Sequence, residues 1–279
     1  MGRELLVESV MPASTPPAAS PRSANSRRQA NPGPQVDQRP AAALLEKIRR
    51  CGVVAVLVID DPRDAVPLAR ALLAGGINVM ELTLRTPRAV EALQRIRADL
   101  PEMIAGVGTV LQPAQVKEVS RAGAAFAVAP GTNPRVIAAA HAIGLPFFPG
   151  VATPSDIEAA VESGCRVLKF FPAEPSGGLN YLTNMAAPYA HLGLRYLPLG
   201  GLTAASLPDY LADPLILAVG GSWLASRPLI RDGDWTRIRT NAGEARRIVD
   251  QVRGSLAPRA ITRAVAGSSR EGRVSRVGQ

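Results

Sequence analysis

Lys169 lies in the run Val167-Leu168-Lys169-Phe170-Phe171-Pro172, a cation inside an apolar segment, and it is one of only three lysines among 32 basic side chains. Arginine carries almost all the routine charge, so a lysine here calls for a chemical reason. An ammonium releases its proton when desolvated and a guanidinium effectively does not, and only the neutral amine attacks a carbonyl. Lys169 is therefore a candidate Schiff-base nucleophile. The bland alternative is a lysine at a strand end that runs its stem along apolar surface and leaves its head in water. Lys47 and Lys117 fall on the polar faces of helical patterns and read as solvated charges.

A second polar group sits in Val79-Met80-Glu81-Leu82-Thr83-Leu84-Arg85-Thr86-Pro87. A period of two places Val79, Glu81, Thr83 and Arg85 on one face. This admits two readings: an internal Glu81–Arg85 ion pair, or a proton-transfer carboxylate beside an arginine for a substrate anion. Further candidate strand ends are Gly106-Val107-Gly108-Thr109-Val110, Ala129-Pro130-Gly131-Thr132-Asn133 and Phe148-Pro149-Gly150. Two glycine pairs follow, in Leu199-Gly200-Gly201-Leu202-Thr203 and Val219-Gly220-Gly221-Ser222-Trp223. Backbone N–H groups and a short helix N-terminus at such places bind phosphate; the alternative is ordinary turn geometry.

The elements that must position these groups are legible as short apolar runs alternating with longer amphipathic ones, the pattern of βα units around a parallel sheet. Eight strand-like runs begin near Val53, Ile77, Met103, Ala124, Leu145, Cys165, Arg195 and Leu215, and helical stretches before several of them end in glycine, as at Gly75-Gly76, Gly123, Gly144 and Gly164. The expected fold is α/β, a single (β/α)8 TIM barrel over 41–254, with 41–52 as an N-terminal helix and 234–253 as a C-terminal one. A doubly wound open sheet is the alternative, but no Gly-x-Gly-x-x-Gly follows the first strand.

Composition narrows the function classes. The net charge of +9 is concentrated at the ends: residues 1–40 hold five basic and three acidic groups, and 254–279 hold five and one. Both ends are rich in polar and small residues without apolar periodicity, so 1–40 and 255–279 are expected to be disordered tails. No aromatic-interleaved basic patch accompanies them, so nucleic acid is not expected as a partner. The acid-poor stretch 13–31 leaves a transit peptide as an alternative to a cytoplasmic protein. No run is long enough to span a membrane. Two cysteines, Cys51 and Cys165, and two histidines, His141 and His191, fit neither a disulfide framework nor a metal centre.

Glu81-Leu82-Thr83-Leu84-Arg85-Thr86, Gly108-Thr109-Val110, Leu168-Lys169-Phe170-Phe171-Pro172-Ala173-Glu174 and Gly220-Gly221-Ser222-Trp223, in unbroken order over roughly 42–252, together resemble the bacterial 2-keto-3-deoxy-6-phosphogluconate (KDPG)/4-hydroxy-2-oxoglutarate aldolases. The resemblance implies that Lys169 forms the Schiff base and Glu81 is the general acid/base. It implies that Arg85 and Thr109 hold the keto-acid carboxylate and that Gly200, Gly201, Gly220, Gly221 and Ser222 surround the phosphate. Phe171 and Pro130 would line the pocket. It further implies a homotrimer that needs no cofactor and no metal and acts on a phosphorylated 2-keto sugar acid. One position departs: KDPG-cleaving members usually carry threonine where this chain has Leu199, which leaves the galactonate-derived epimer as an alternative substrate. A non-catalytic phosphosugar-binding barrel, or a barrel isomerase or epimerase, would share the phosphate site without requiring the apolar lysine.

Overall fold

The computed structural model describes residues 39–256. The expected tails lie outside the described residues except at their inner edges, where Arg39-Pro40 and Ser255-Leu256 are helical rather than disordered. Helix α1 spans Arg39–Cys51, and Pro40 is tolerated there because a first-turn residue has no intrahelical N–H bond to lose. The closing helix runs Trp235–Leu256. Among the described residues no helix is long and apolar enough to cross a membrane.

Each of the eight strand-like runs contains strand. They are β1 (Val53–Leu57), β2 (Val79–Thr83), β3 (Ile104–Gly108), β4 (Ala127–Val128), β5 (Phe147–Phe148) with β6 (Gly150–Val151), β7 (Val167–Phe170), β8 (Arg195–Pro198) and β9 (Val219–Gly221). Every pairing is parallel, in one sheet ordered β5-β4-β3-β2-β1-β9 and another ordered β6-β7-β8. The fifth run is split because Pro149 has no N–H for a ladder; its carbonyl accepts from the Lys169 amide at 2.8 Å, so the chain passes there from the first sheet to the second. At the other margin Leu199 and Gly220 form an isolated parallel bridge, as do Tyr196 and Ile216. The last strand starts at Val219, four residues later than its apolar run: Leu215 O and the Leu217 amide bond to Tyr196, the Leu215 amide and Leu217 O go to the Asp213 and Arg253 side chains, and bonding toward β1 begins with the Val219 amide donating to Gly52 O at 2.9 Å.

The strands read as apolar runs because both faces are covered. In β7, Phe170 stacks on Tyr181 of the helix Gly178–Ala186 with centroids 6.1 Å apart, so Phe170 faces the helix layer. Alternation then turns Lys169 to the opposite, interior face. In β2, Met80 and Leu82 belong to the hydrophobic core, which by the same rule puts Glu81 and Thr83 on the other face. Leu, Ile and Val side chains buried to this extent contribute about 1.5–3 kcal/mol each, and this is what offsets the placement of two charged groups inside.

Candidate active site

Lys169 and Glu81 are 6% and 0% exposed, and with Thr83 they are the buried polar residues among those described. The Lys169 Nζ lies 3.2 Å from Glu81 Oε1. The contact spans the interior from β7 in one sheet to β2 in the other. Glu81 Oε2 is buried and has no hydrogen-bond partner among the described residues. A carboxylate oxygen held so is costly unless something bonds to it during function. Lys169 Nζ also lies 5.2 Å from the centroid of the Phe171 ring, within cation–π range. Lys47 and Lys117 are exposed, as their helical patterns suggest.

The apposition of Glu81 and Lys169 corrects one sequence reading. Strand β2 ends at Thr83, and Leu84-Arg85 turn away, the Arg85 amide donating to Thr83 O at 2.7 Å. Arg85 is exposed and forms no ion pair with Glu81; the carboxylate's partner is the lysine. Thr83 instead pins the strand end, its Oγ1 donating to Leu57 O at 3.0 Å, and Thr86 Oγ1 donates to Ile59 O at 2.7 Å.

Other residues singled out in the sequence adjoin this pair. Gly200 and Gly201 turn with φ of 100° and 81°, a conformation glycine adopts without strain. A Cβ on Gly200 would sit 3.3 Å from Phe171 Cδ2, so this turn packs directly on the ring beside the lysine. Leu199 O accepts from the Ala173 amide and Gly200 O from the Glu174 amide, at 2.7 and 3.0 Å, while Tyr210 donates its hydroxyl to Glu174 Oε1 at 2.7 Å. The Ala173-Glu174 end of the lysine motif thus fixes the glycine turn. Leu199 is buried and its side chain fills the space over Gly220. The Pro130 carbonyl abuts Gly150, the register partner of Lys169.

Arg85, Thr109 and Ser222 follow the carboxyl ends of β2, β3 and β9, but make no side-chain hydrogen bond or ion pair among the described residues. Thr109 alone among the described non-glycine residues has positive φ, 61°, a costly conformation that clusters at functional sites. Sequence gave no sign of it. The helix expected directly after Gly220-Gly221-Ser222 begins only at Arg227, where a five-residue helix follows a bend at 222–225. Arg227 makes a bidentate pair with Asp60, at 2.7 and 2.6 Å, joining this loop to the one after β1.

Groups away from the pair are quiet. His141 and His191 are exposed. Burial pushes the Cys165 thiol up to about 11, away from nucleophile chemistry at neutral pH. A cleft lined by Lys47, Arg50, Asn78 and Arg246 opens at the amino ends of the strands, the face opposite the glycine turns. Its arginines are already engaged, Arg50 with Glu46 and Arg246 with the Arg50 and Cys51 carbonyls. Among the described residues no three His, Cys, Asp or Glu side chains cluster to hold a metal ion.

A parallel α/β fold that buries a lysine against a carboxylate is an arrangement suited to the chemistry of a lyase. The sequence matches the family described as KDPG and KHG aldolase over residues 44–241, and the chain belongs to that family of lyases. It is 41% identical to a 2-dehydro-3-deoxy-phosphogluconate aldolase of Treponema pallidum over 74% of this chain and 97% of that protein, and 43% identical to the KHG/KDPG aldolase of Escherichia coli K12 over 69% and 90%. Among solved structures it is similar to the KDPG aldolase of Legionella pneumophila with pyruvate captured as a covalent carbinolamine, at TM-score 0.69 and 35% identity over 72% of this chain and 97% of that one.

Proposed function

We propose that this protein is a class I aldolase that splits 2-dehydro-3-deoxy-6-phosphogluconate into pyruvate and glyceraldehyde 3-phosphate, and also cleaves 4-hydroxy-2-oxoglutarate to pyruvate and glyoxylate. The observation that carries the reading is the 3.2 Å contact between the buried Lys169 amine and Glu81. Neutral Lys169 attacks the C2 ketone. Glu81 supplies the proton with which the carbinolamine oxygen leaves as water, forming the iminium. The Glu81 carboxylate then takes the C4 hydroxyl proton, the C3–C4 bond breaks, and its electrons flow into the iminium. The aldehyde leaves, the enamine is protonated at C3, and water releases pyruvate and the free amine. The imine is the electron sink, so the proposal requires neither cofactor nor metal.

In the same proposal Arg85 and Thr109 hold the carboxylate, and Gly200, Gly201, Gly220, Gly221 and Ser222 hold the phosphate, with Phe171, Pro130 and Leu199 lining the pocket between. Their positions at or just beyond the carboxyl ends of parallel strands support this assignment, with Gly220 and Gly221 the last two residues of β9. The two sheets are read as one closed (β/α)8 barrel. Support comes from the Pro149 passage between β5 and β6 and from the Leu199–Gly220 and Tyr196–Ile216 bridges at the other margin. A homotrimer and a cytoplasmic location complete the proposal, as does an aldolase domain of 41–254 that works without its tails. The fragment 39–256, which spans the described residues, should retain turnover within a few-fold.

Incubation with pyruvate and borohydride tests the central claim. One reduced pyruvyl group is expected on the peptide containing Lys169. A label on Lys47 or Lys117, or none, would overturn it. Lys169→Arg should be inactive, since arginine keeps the charge but supplies no neutral amine.

A further inference from the structure

Strand β3 reads Ile-Ala-Gly-Val-Gly, and its two glycines are not there for turning. Neither Gly106 nor Gly108 has positive φ, so the backbone at both would accept an L side chain. What each lacks is room. A Cβ on Gly106 would fall on the Phe126 ring, which is core packing. A Cβ on Gly108 would fall on the carboxyl group of Glu81, with Oε1 nearest, Cδ at 2.6 Å and Cγ at 2.9 Å.

The register explains the collision. Thr83 of β2 pairs with Gly108, and Glu81 shares a face with Thr83, so a side chain at 108 would project from the face that carries Glu81, one layer nearer the carboxyl ends. Glu81 leans into that layer. Its carboxyl lies over the bare Cα of Gly108, and from there Oε1 reaches Lys169 Nζ while Oε2 stays unpartnered. We infer that Gly108 is a positioning residue for the aldol chemistry: its missing side chain is the seat that holds the Glu81 carboxyl beside Lys169. The inference rests on Glu81 being the proton-transfer group.

The smallest change that fills the seat is Gly108→Ala, which the backbone tolerates. Displacing a reacting group by about 1 Å costs on the order of 10²-fold in rate, so kcat should fall roughly 10- to 100-fold while KM moves less than about three-fold. A double-mutant cycle with Glu81→Asp separates a seat from general strand damage, since the shorter side chain withdraws its carboxyl from position 108. In the Glu81→Asp background, adding Gly108→Ala should cost less than about three-fold in kcat, because contacting residues are strongly non-additive.

An unchanged kcat in Gly108→Ala, a loss confined to KM, or an equal loss in both backgrounds would overturn the inference. If Gly108→Ala fails to fold, the Glu81→Asp/Gly108→Ala protein decides it: recovered folding supports the seat, and continued failure overturns it. Wild-type kcat in Glu81→Gln would remove the proton-transfer role itself and the inference with it. Loss of activity in Glu81→Gln beside a fully active Gly108→Ala would remove only the seat.

Discussion

Glu81 of β2 and Lys169 of β7 meet at 3.2 Å, both buried, although 88 residues separate them in the chain and their strands belong to different sheets. Burying one such group without the other is strongly unfavourable, and at this distance the two side chains are in direct hydrogen-bond contact. Glu81→Gln preserves volume but removes the group able to take up and return a proton. The expected result is a folded protein with kcat lowered by about 10²- to 10⁴-fold, the range typical of a lost general acid/base. Steady-state kinetics with the phosphorylated substrate check it; a loss below three-fold would assign proton transfer elsewhere.

Burial of two neutral groups away from the site predicts alkaline sensitivity. Desolvation raises Cys165 from 9.0 to about 11 and Tyr196 from 10.0 to about 12. The native state therefore holds protons that the unfolded chain has already released. Their contribution is present in full below those ordinary values and is lost as pH rises through about 11 and about 12. The Tyr196 hydroxyl is also buried without a partner among the described residues, so Tyr196→Phe removes an unsatisfied group. Its Tm at pH 7 should be unchanged or higher, and its decline above pH 10 shallower than that of wild type. A fall in Tm of more than about 5 °C, corresponding to roughly 1–2 kcal/mol in a domain of this size, would mean that the hydroxyl makes a bond not seen here.

Ser222 leaves the carboxyl end of β9 exposed, where the proposal puts phosphate. Ser222→Asp should raise KM for the phosphorylated substrate at least ten-fold by like-charge repulsion, while leaving KM for unphosphorylated 4-hydroxy-2-oxoglutarate within about two-fold. Equal effects on both substrates would place the phosphate elsewhere.

The strands were legible because parallel strands covered on both faces read as apolar runs, and the helical stretches end in glycines such as Gly76 and Gly164, which do take positive φ. Lys169 was legible as a charge in such a run. Arg85 was misplaced because a period-two pattern carries no mark of where the strand stops, and the turn at Thr83–Arg85 is made by a backbone bond. Pro149 marks in the sequence where the fifth run must break, but not that its carbonyl then accepts from the Lys169 amide and carries the chain to the other sheet. The seat at Gly108 lies further out of reach. It concerns the volume beside a side chain of another strand, and a glycine in a strand announces only that some close approach occurs.

In the proposed site, Leu199 is the residue expected to bear on stereochemistry. It stands two residues beyond Leu197, the register partner of Lys169, so alternation turns it to the same interior face, and it lies buried over Gly220. An apolar side chain there offers no hydrogen bond to a hydroxyl at C4. A site that bonds a substrate hydroxyl discriminates strongly, whereas shape alone separates close analogues by about 1–3 kcal/mol. The wild type should therefore cleave the gluconate- and galactonate-derived phosphorylated epimers with kcat/KM values within about 100-fold of one another. Leu199→Thr should shift the ratio toward the gluconate-derived epimer by ten-fold or more, at some cost in stability because the space over Gly220 is then less well filled. If the wild type prefers that epimer by several hundred-fold and Leu199→Thr leaves the ratio unchanged, another residue reads the C4 centre, and Leu199 serves only to fill the space over Gly220.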